Sequence, residues 1–179
     1  MKTFKTILAA VLFLSATTGL MAQNQASTSA TANANIIALL SLDKVDGGDI
    51  DFGTIAQGTT ATLNPNNGQV ANGGLQGTDA SVGAFIIGGG PGADVLLTFD
   101  TEVILNGSGS SLTMATNLVY NVDNNQSSAA QITTTGSSIT LSDGAAGNGY
   151  IWVGGEIEVP IDQTVGSYDG TFNISVTYN

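Results

Sequence analysis

Hydrophobic and polar residues alternate along much of the chain, and this alternation predicts β-strands. The first long example is segment 26–42, ASTSATANANIIALLSL, in which Ala, Thr, Ile and Leu occupy the even positions. A period of two residues places every second side chain on the same face of a strand. At roughly 3.3 Å per residue the segment would span about 56 Å, about three times the usual strand length. One small domain cannot use all of it, so part is expected to reach another sheet.

Further short β-type runs follow, separated by turn-forming residues. They cover residues 50–55, 59–63, 83–88, 94–100, 111–114, 117–122, 137–141, 150–160 and 168–178. Gly, Asn, Asp and Ser cluster between them, as in NPNNG, NGSGS and SDGAAGNG. Helical periodicity is confined to the N-terminus. The pattern predicts an all-β fold, an antiparallel sandwich of the Ig-like or pilin-like kind, formed by one domain over residues 35–179.

The first 22 residues have the layout of a secretory signal peptide. Lys2 and Lys5 form a basic start, residues 7–14 are apolar, and small residues lead to Ala22. The apolar run is far shorter than the ~20 residues of a transmembrane helix. We therefore expect export with cleavage after Ala22, transit through the periplasm, a final place at the cell surface or outside the cell, and no membrane span. Residues 23–34, which are low in complexity, are predicted to form an N-terminal extension.

Charge and cysteine content narrow the range of partners. Without the signal peptide the chain keeps one cation, Lys44, against 14 acidic residues. Such a surface repels phosphate backbones and anionic lipids, so we expect no nucleic-acid partner. Cysteine is absent, so disulfides cannot stabilise the fold, which must depend on its core or on self-association.

The residue types leave little room for catalysis. Histidine and cysteine are both absent, which removes the usual nucleophilic sites and common zinc sites. Asp43, Asp46, Asp49 and Asp51 lie close together, but their spacing does not match a calcium loop and is typical of a solvated turn. The glycines at 88–92 precede a predicted strand rather than a helix, which indicates a β-turn and not a phosphate cradle. We predict no enzyme activity, cofactor or metal.

One aromatic pair supports an alternative function. Tyr150 and Trp152 lie two residues apart in a predicted strand, so they share one face and either ring could stack on a sugar. A lone Trp in a sandwich strand is more commonly buried. A monomeric extracellular module that binds glycans or matrix therefore remains the second hypothesis.

The C-terminal residues carry a resemblance to a known assembly system. Phe172, Ile174, Val176 and Tyr178 alternate with polar residues, and Gly166 is the fourteenth residue from the end. This arrangement resembles the C-terminal signature of chaperone–usher pilus subunits. The resemblance implies a sandwich that lacks its last strand, with a groove filled by the N-terminal extension of a neighbouring subunit. It also implies a periplasmic chaperone and outer-membrane assembly machinery as partners.

A second resemblance covers roughly residues 32–179. Its most specific elements are Asp51–Gly53 (DFG), residues 153–155 (VGG), and the closing set Gly166, Tyr168, Gly170, Thr171 and Phe172. These residues resemble the secreted bacterial domain-of-unknown-function family 4402. The resemblance implies an exported Ig-like or pilin-like β-sandwich and no catalytic residues.

The role of the N-terminal residues stays open at this point. Residues 23–34 could pair with a neighbour while residues 36–42 begin the home sandwich, or residues 34–42 could themselves be donated. A third possibility is a first strand of a self-sufficient domain with a frayed tail. Donor strands of pilins insert bulky side chains, and each Ala gives up over ~2 kcal/mol relative to Leu at about 0.8 kcal/mol per CH₂. The donated segment that fills the groove most tightly, which we call the plug, would therefore use Ile36, Ala38, Leu40 and Leu42.

We thus predict a secreted structural or adhesive protein, a pilin-like filament subunit that self-associates by β-strand addition. Gly166 would allow the turn into the last strand, and Tyr178 would close the end of that strand. Between them Phe172, Ile174 and Val176 would face the core.

Overall fold

A computed structural model of the protein describes residues 27–73, 79–107 and 109–179. The predicted signal peptide and the first residues of the predicted extension lie outside this part. The chain divides into a unit that ends at Ile36 and a second unit, Ile37–Asn179. The described residues of the first unit, 27–36, are exposed and form no strand.

The second unit is built from β-strands, so the all-β prediction is confirmed. Its described residues contain eleven strands and one short 3₁₀ helix, Gln126–Ser128. The strands are β1 (Ser41–Lys44), β2 (Thr59–Leu63), β3 (Val70–Ala71), β4 (Gly83–Gly88), β5 (Asp94–Phe99), β6 (Glu102–Gly107), β7 (Ser110–Asn121), β8 (Ala130–Ile132), β9 (Ser137–Thr140), β10 (Asn148–Val159) and β11 (Ile174–Tyr178). Every pair of these strands is antiparallel.

The larger sheet is organised around β10, which is twelve residues long. One edge of β10 pairs first with β4 and then with β2, while the other edge pairs with β7. The strands β1 and β3 lie beyond β4 and β2, and β7 also pairs with β6 and β8. Gly154 lies near the point where β10 passes from β4 to β2, and a Cβ there would overlap the main-chain oxygen of Leu63. Only glycine permits this close approach.

The smaller sheet has three strands in the order β11-β5-β9. It faces one half of the large sheet, and the first core cluster lies between them. The buried members of this cluster are Ile87, Val95, Leu97, Phe99, Leu118, Ile139, Leu141, Ile151 and Val153. The two sheets therefore form the predicted sandwich over this half.

The other half of the large sheet carries a second core cluster. Its buried sheet residues are Ala61, Leu63, Val103, Leu112, Met114, Ile157 and Val159. The side chains packed over them include Phe52 and Ile55 on one side and Tyr168 and Phe172 on the other, and none of these four belongs to a named strand. Irregular segments thus replace the second sheet over this half.

The Trp152 side chain is buried, with 7% of its surface exposed, but it belongs to neither core cluster. Ile151 and Val153 point into the first cluster, so the alternation of β10 places Tyr150 and Trp152 on the outer face of the large sheet. A Cβ at Gly154, on this same face, would meet Pro65, which is itself fully buried. The indole therefore lies in a small packed region outside the sandwich core.

Candidate assembly site

The first and last strands of the sandwich are both edge strands. β1 pairs only with β4, and β11 pairs only with β5. β1 and β11 lie at the same side of the sandwich, since Tyr178 at the end of β11 hydrogen-bonds the main chain of Ala38, three residues before β1. Between segment 40–55 and segment 168–178, the described residues form no main-chain hydrogen bond. We call the gap between these two segments the seam.

Apolar side chains line both walls of the seam over the first core cluster. On one wall Leu40, Leu42 and Ile50 are half-buried, and on the other wall the half-buried residues are Phe172, Ile174, Val176 and Tyr178. The residues between them in the second wall, such as Asn173, Ser175 and Thr177, are exposed. The alternation in the C-terminal sequence therefore directs one face of β11 toward the core and leaves its outer edge without a strand partner among the described residues.

Tyr178 closes one end of the seam. Its hydroxyl donates a hydrogen bond to the main-chain oxygen of Ala38 at 2.9 Å. The Tyr178 hydroxyl oxygen in turn accepts a hydrogen bond from the main-chain N–H of Gly90, also at 2.9 Å. One phenol group thus joins the residues before β1, the turn after β4 and the end of β11.

A network of polar side chains lies at the other end. The Tyr168 hydroxyl donates to the main-chain oxygen of Thr164 at 2.6 Å and accepts from the Gln163 amide at 2.8 Å. Ser110 Oγ lies 2.6 Å from the same hydroxyl. The side-chain amide of Gln57 donates to the main-chain oxygen of Gln163. These bonds hold residues 160–173, the connection between β10 and β11 that we call the strap, against the large sheet.

A cavity of about 700 Å³ lies between the two walls at this end of the seam. Its apolar lining comes from the second core cluster and includes Phe52, Val103, Leu112, Met114, Ile157 and Val159. Protein interiors rarely contain voids larger than a water molecule. The second cluster is therefore incompletely covered, and the size of the cavity falls within the range of ligand sites.

The mouth of the cavity is acidic. Asp49, Asp51 and Asp169 line it, and no lysine or arginine does so among the described residues. The Asp49 carboxylate pairs with Lys44 at 2.6 Å, and Asp51 accepts a hydrogen bond from the main-chain N–H of Gly53 at 2.7 Å. In the part of the chain that the structure describes, no three acidic residues are grouped to hold a metal ion.

Gly166 lies in the strap and also lines the cavity. Its φ angle is +152°, which a residue with a side chain rarely adopts. It is eight residues before β11, so the turn that was predicted at Gly166 belongs to the strap rather than to the start of the strand. Its part in assembly stays a prediction.

The four residues of the predicted plug separate into two pairs. Leu40 and Leu42 are half-buried against the core of their own sandwich. Ile36 and Ala38 precede β1 and are exposed, with 91% of the Ile36 surface accessible. The neighbouring Leu39 is 90% exposed. Within segment 36–42, large apolar side chains are thus available to a partner before residue 40 and not after it.

The residues of the second hypothesis lie on β10, which β4 separates from β1 at the seam. Since Trp152 is buried, only Tyr150 offers a ring to a ligand. Tyr150 lines an open cleft together with four residues that carry carboxylate or amide groups, Asp123, Asn124, Asp143 and Asn148. The cleft combines one aromatic ring with several hydrogen-bonding groups. Of the two rings that the sequence offered as a platform, only Tyr150 lies in this cleft.

Sequence reasoning missed the cavity and the polar network of the strap. Both depend in part on contacts between residues about 50 or more positions apart, such as Gln163 with Ser110. The local sequence of the strap predicts a turn followed by the start of the strand run 168–178, and neither feature identifies these contacts.

The family model described as Domain of unknown function (DUF4402) matches residues 40–178. The chain belongs to the DUF4402 family. The DUF4402 match begins immediately before β1 and ends with the last residue of β11, so it includes both walls of the seam and leaves out residues before 40. The predicted resemblance to this family is confirmed, whereas the likeness to chaperone–usher subunits stays a prediction. Among curated proteins, none matches the chain.

Proposed function

We propose that this DUF4402 protein is a secreted structural or adhesive subunit that self-associates by β-strand addition. The observation that carries the proposal is the seam, where the first and last strands of the sandwich lie side by side without main-chain bonds between them. The outer edge of β11 offers unpaired N–H and C=O groups to an added strand. The half-buried side chains along both walls offer contacts to every second residue of that strand.

The length of the seam suits one extended segment. Residues 168–178, if extended, span about 33 Å. Residues 27–36, which precede the family domain, span about 30 Å when extended, and they are exposed and outside any strand. Strand addition would supply these residues with the ladder bonds and the apolar contacts that they lack in the single chain.

Other features support this function over the alternatives. The leader sequence supports export, and no described helix is long and apolar enough to cross a membrane. An exported protein with an open strand edge also benefits from a chaperone during transit, because open edges invite unspecific pairing. The glycan-binding hypothesis is less well supported, since Trp152, one of the two alternative platforms, is buried.

A truncation tests the proposal. The protein from Gln23 is compared with a version that starts at Ile37, which keeps the whole family domain. We expect the longer protein to give ladders on SDS gels that collapse on boiling and filaments by negative-stain electron microscopy. The shorter protein should remain monomeric because it has no strand to donate.

Circular dichroism provides the control for this comparison. Both proteins should show the same β-type spectrum and a similar Tm, since residues 27–36 are exposed and form no strand. Equally monomeric behaviour of the two folded proteins would contradict strand addition.

A further inference from the structure

The proposed strand addition leaves open which residue anchors the added strand and in which direction it runs. Resting on that function, we propose that residues 27–36 of a second copy run antiparallel to β11 and that Ile36 of that copy enters the cavity. The donor is thus anchored at one end by one large side chain rather than along its whole length.

The donor segment has one apolar face with a single large side chain. Its even positions carry Thr28, Ala30, Ala32, Ala34 and Ile36. Its odd positions carry Ser27, Ser29, Thr31, Asn33 and Asn35. Because a strand turns alternate residues to opposite faces, the even set must face the apolar walls. Ile36, the last residue of the segment, is the only large member of that set.

The space along the seam matches the sizes of the donor side chains. Along β11, the side chains of Ile174, Val176 and Tyr178 already pack against the first core cluster, which leaves room only for small residues above them. The large void lies beyond the start of β11, where Phe172 and Gly170 line the cavity. Small donor residues therefore fit along β11, and a large one fits at the cavity, as close packing requires.

This match fixes the direction of the added strand. β11 runs away from the cavity, from Ile174 toward Tyr178 and the Ala38 carbonyl. Ile36 is at the C-terminal end of the donor segment, so it reaches the cavity only when the donor runs opposite to β11. The result is an antiparallel pair, the arrangement that all the other strand pairs of the sandwich adopt.

Charge favours the same occupant. Residues 27–36 contain no acidic or basic residue, whereas the cavity mouth is lined by Asp49, Asp51 and Asp169. An uncharged segment can approach this mouth without like-charge repulsion. The rest of a second copy, whose first acidic residue is Asp43, is less suited to it.

Cysteine cross-linking distinguishes an antiparallel from a parallel donor strand. The chain has no native cysteine, so disulfides can form only between the introduced residues. Protein from Gln23 with Ile36→Cys is mixed with one of three single variants, Thr54→Cys or Val165→Cys at the cavity, or Asn179→Cys at the other end. A disulfide requires Cα atoms within about 7 Å. We expect cross-linked dimers with a cavity cysteine and none with Asn179→Cys, beyond the background of each variant oxidised alone.

A pair of alanine variants tests the anchor. Ile36→Ala should weaken assembly by about tenfold or more, because it removes a large side chain from an apolar site. Ile37→Ala, which changes the residue directly after the donor segment, should change assembly less than about threefold. The SDS ladder and sedimentation velocity provide the measurement.

The outcomes separate this inference from the proposed function. Cross-links only with Asn179→Cys would overturn the antiparallel direction while leaving strand addition intact. Normal ladders of Ile36→Ala, or a larger effect of Ile37→Ala, would overturn the anchor. If the unmodified protein from Gln23 forms no ladder, the proposed function itself fails, and this inference fails with it.

Discussion

The hydroxyl of Tyr120 donates a hydrogen bond to the main-chain oxygen of Thr140 at 2.6 Å. Burial raises the pKa of Tyr120 from 10.0 to about 12, because the phenolate would lose its hydration. The folded-state pKa is thus above the unfolded value, and the fold favours the neutral phenol. The resulting stabilisation is complete below pH 10 and is lost as the pH rises from 10 to about 12.

Replacing Tyr120 by Phe should therefore alter the pH dependence of stability. At pH 8 the variant should be about 1 kcal/mol less stable, because it lacks one hydrogen bond. Between pH 10 and 12 the wild type should lose more stability than the variant, so that the difference between them narrows. Urea unfolding at pH 8 and pH 11, followed by Trp152 fluorescence, measures both effects. An unchanged difference at the two pH values would contradict the assignment.

At the scale of elements, the sequence pattern predicted strands better than strand ends. The alternation of segment 26–42 blurs at Ile37 and Leu39, and among its described residues only Ser41 and Leu42 belong to a strand, β1, because alternation provides an apolar face but no partner edge. Segment 168–178 likewise contains β11 only from Ile174 onward. Several of its earlier residues line the cavity, and among residues 168–173 the one isolated β-bridge is that of Asp169 to Asn106. The sequence could not predict the seam in detail, because the seam forms between two segments, 40–55 and 168–178, that are far apart along the chain.

β10 provides the sharpest prediction at this scale. Gly154→Ala should destabilise the sandwich by about 2 kcal/mol or more, since the new Cβ would overlap the main-chain oxygen of Leu63 and a main-chain atom cannot rotate away. Gly144→Ala is the matched control, because that glycine lies in an exposed turn with only the Ser142 hydroxyl nearby, 3.8 Å from the added carbon. Thermal unfolding of both variants tests this. Equal Tm values would show that β10 and β2 can separate at no cost.

At the scale of the whole molecule, the net negative charge of the chain opposes the self-association that we propose at the seam. The sequence has 14 acidic and three basic residues, and two of the three cations precede the expected cleavage site. Copies of such a chain repel one another over about 30 Å at 0.01 M salt and about 10 Å at 0.1 M. The contact that we propose is made by uncharged and apolar residues, which salt does not screen.

Raising the salt concentration should therefore accelerate assembly. For protein starting at Gln23, we expect the initial rate, measured by light scattering, to increase several-fold between about 10 and 150 mM NaCl, because the repulsion is screened while the strand contacts are not. A variant with Asp49, Asp51 and Asp169 all changed to Asn should assemble faster at low salt and depend less on salt, because the cavity mouth would no longer repel the acidic neighbour. A rate that falls as salt is added would mean that charged groups attract the copies to each other. The seam would then not be the surface that determines how fast they meet.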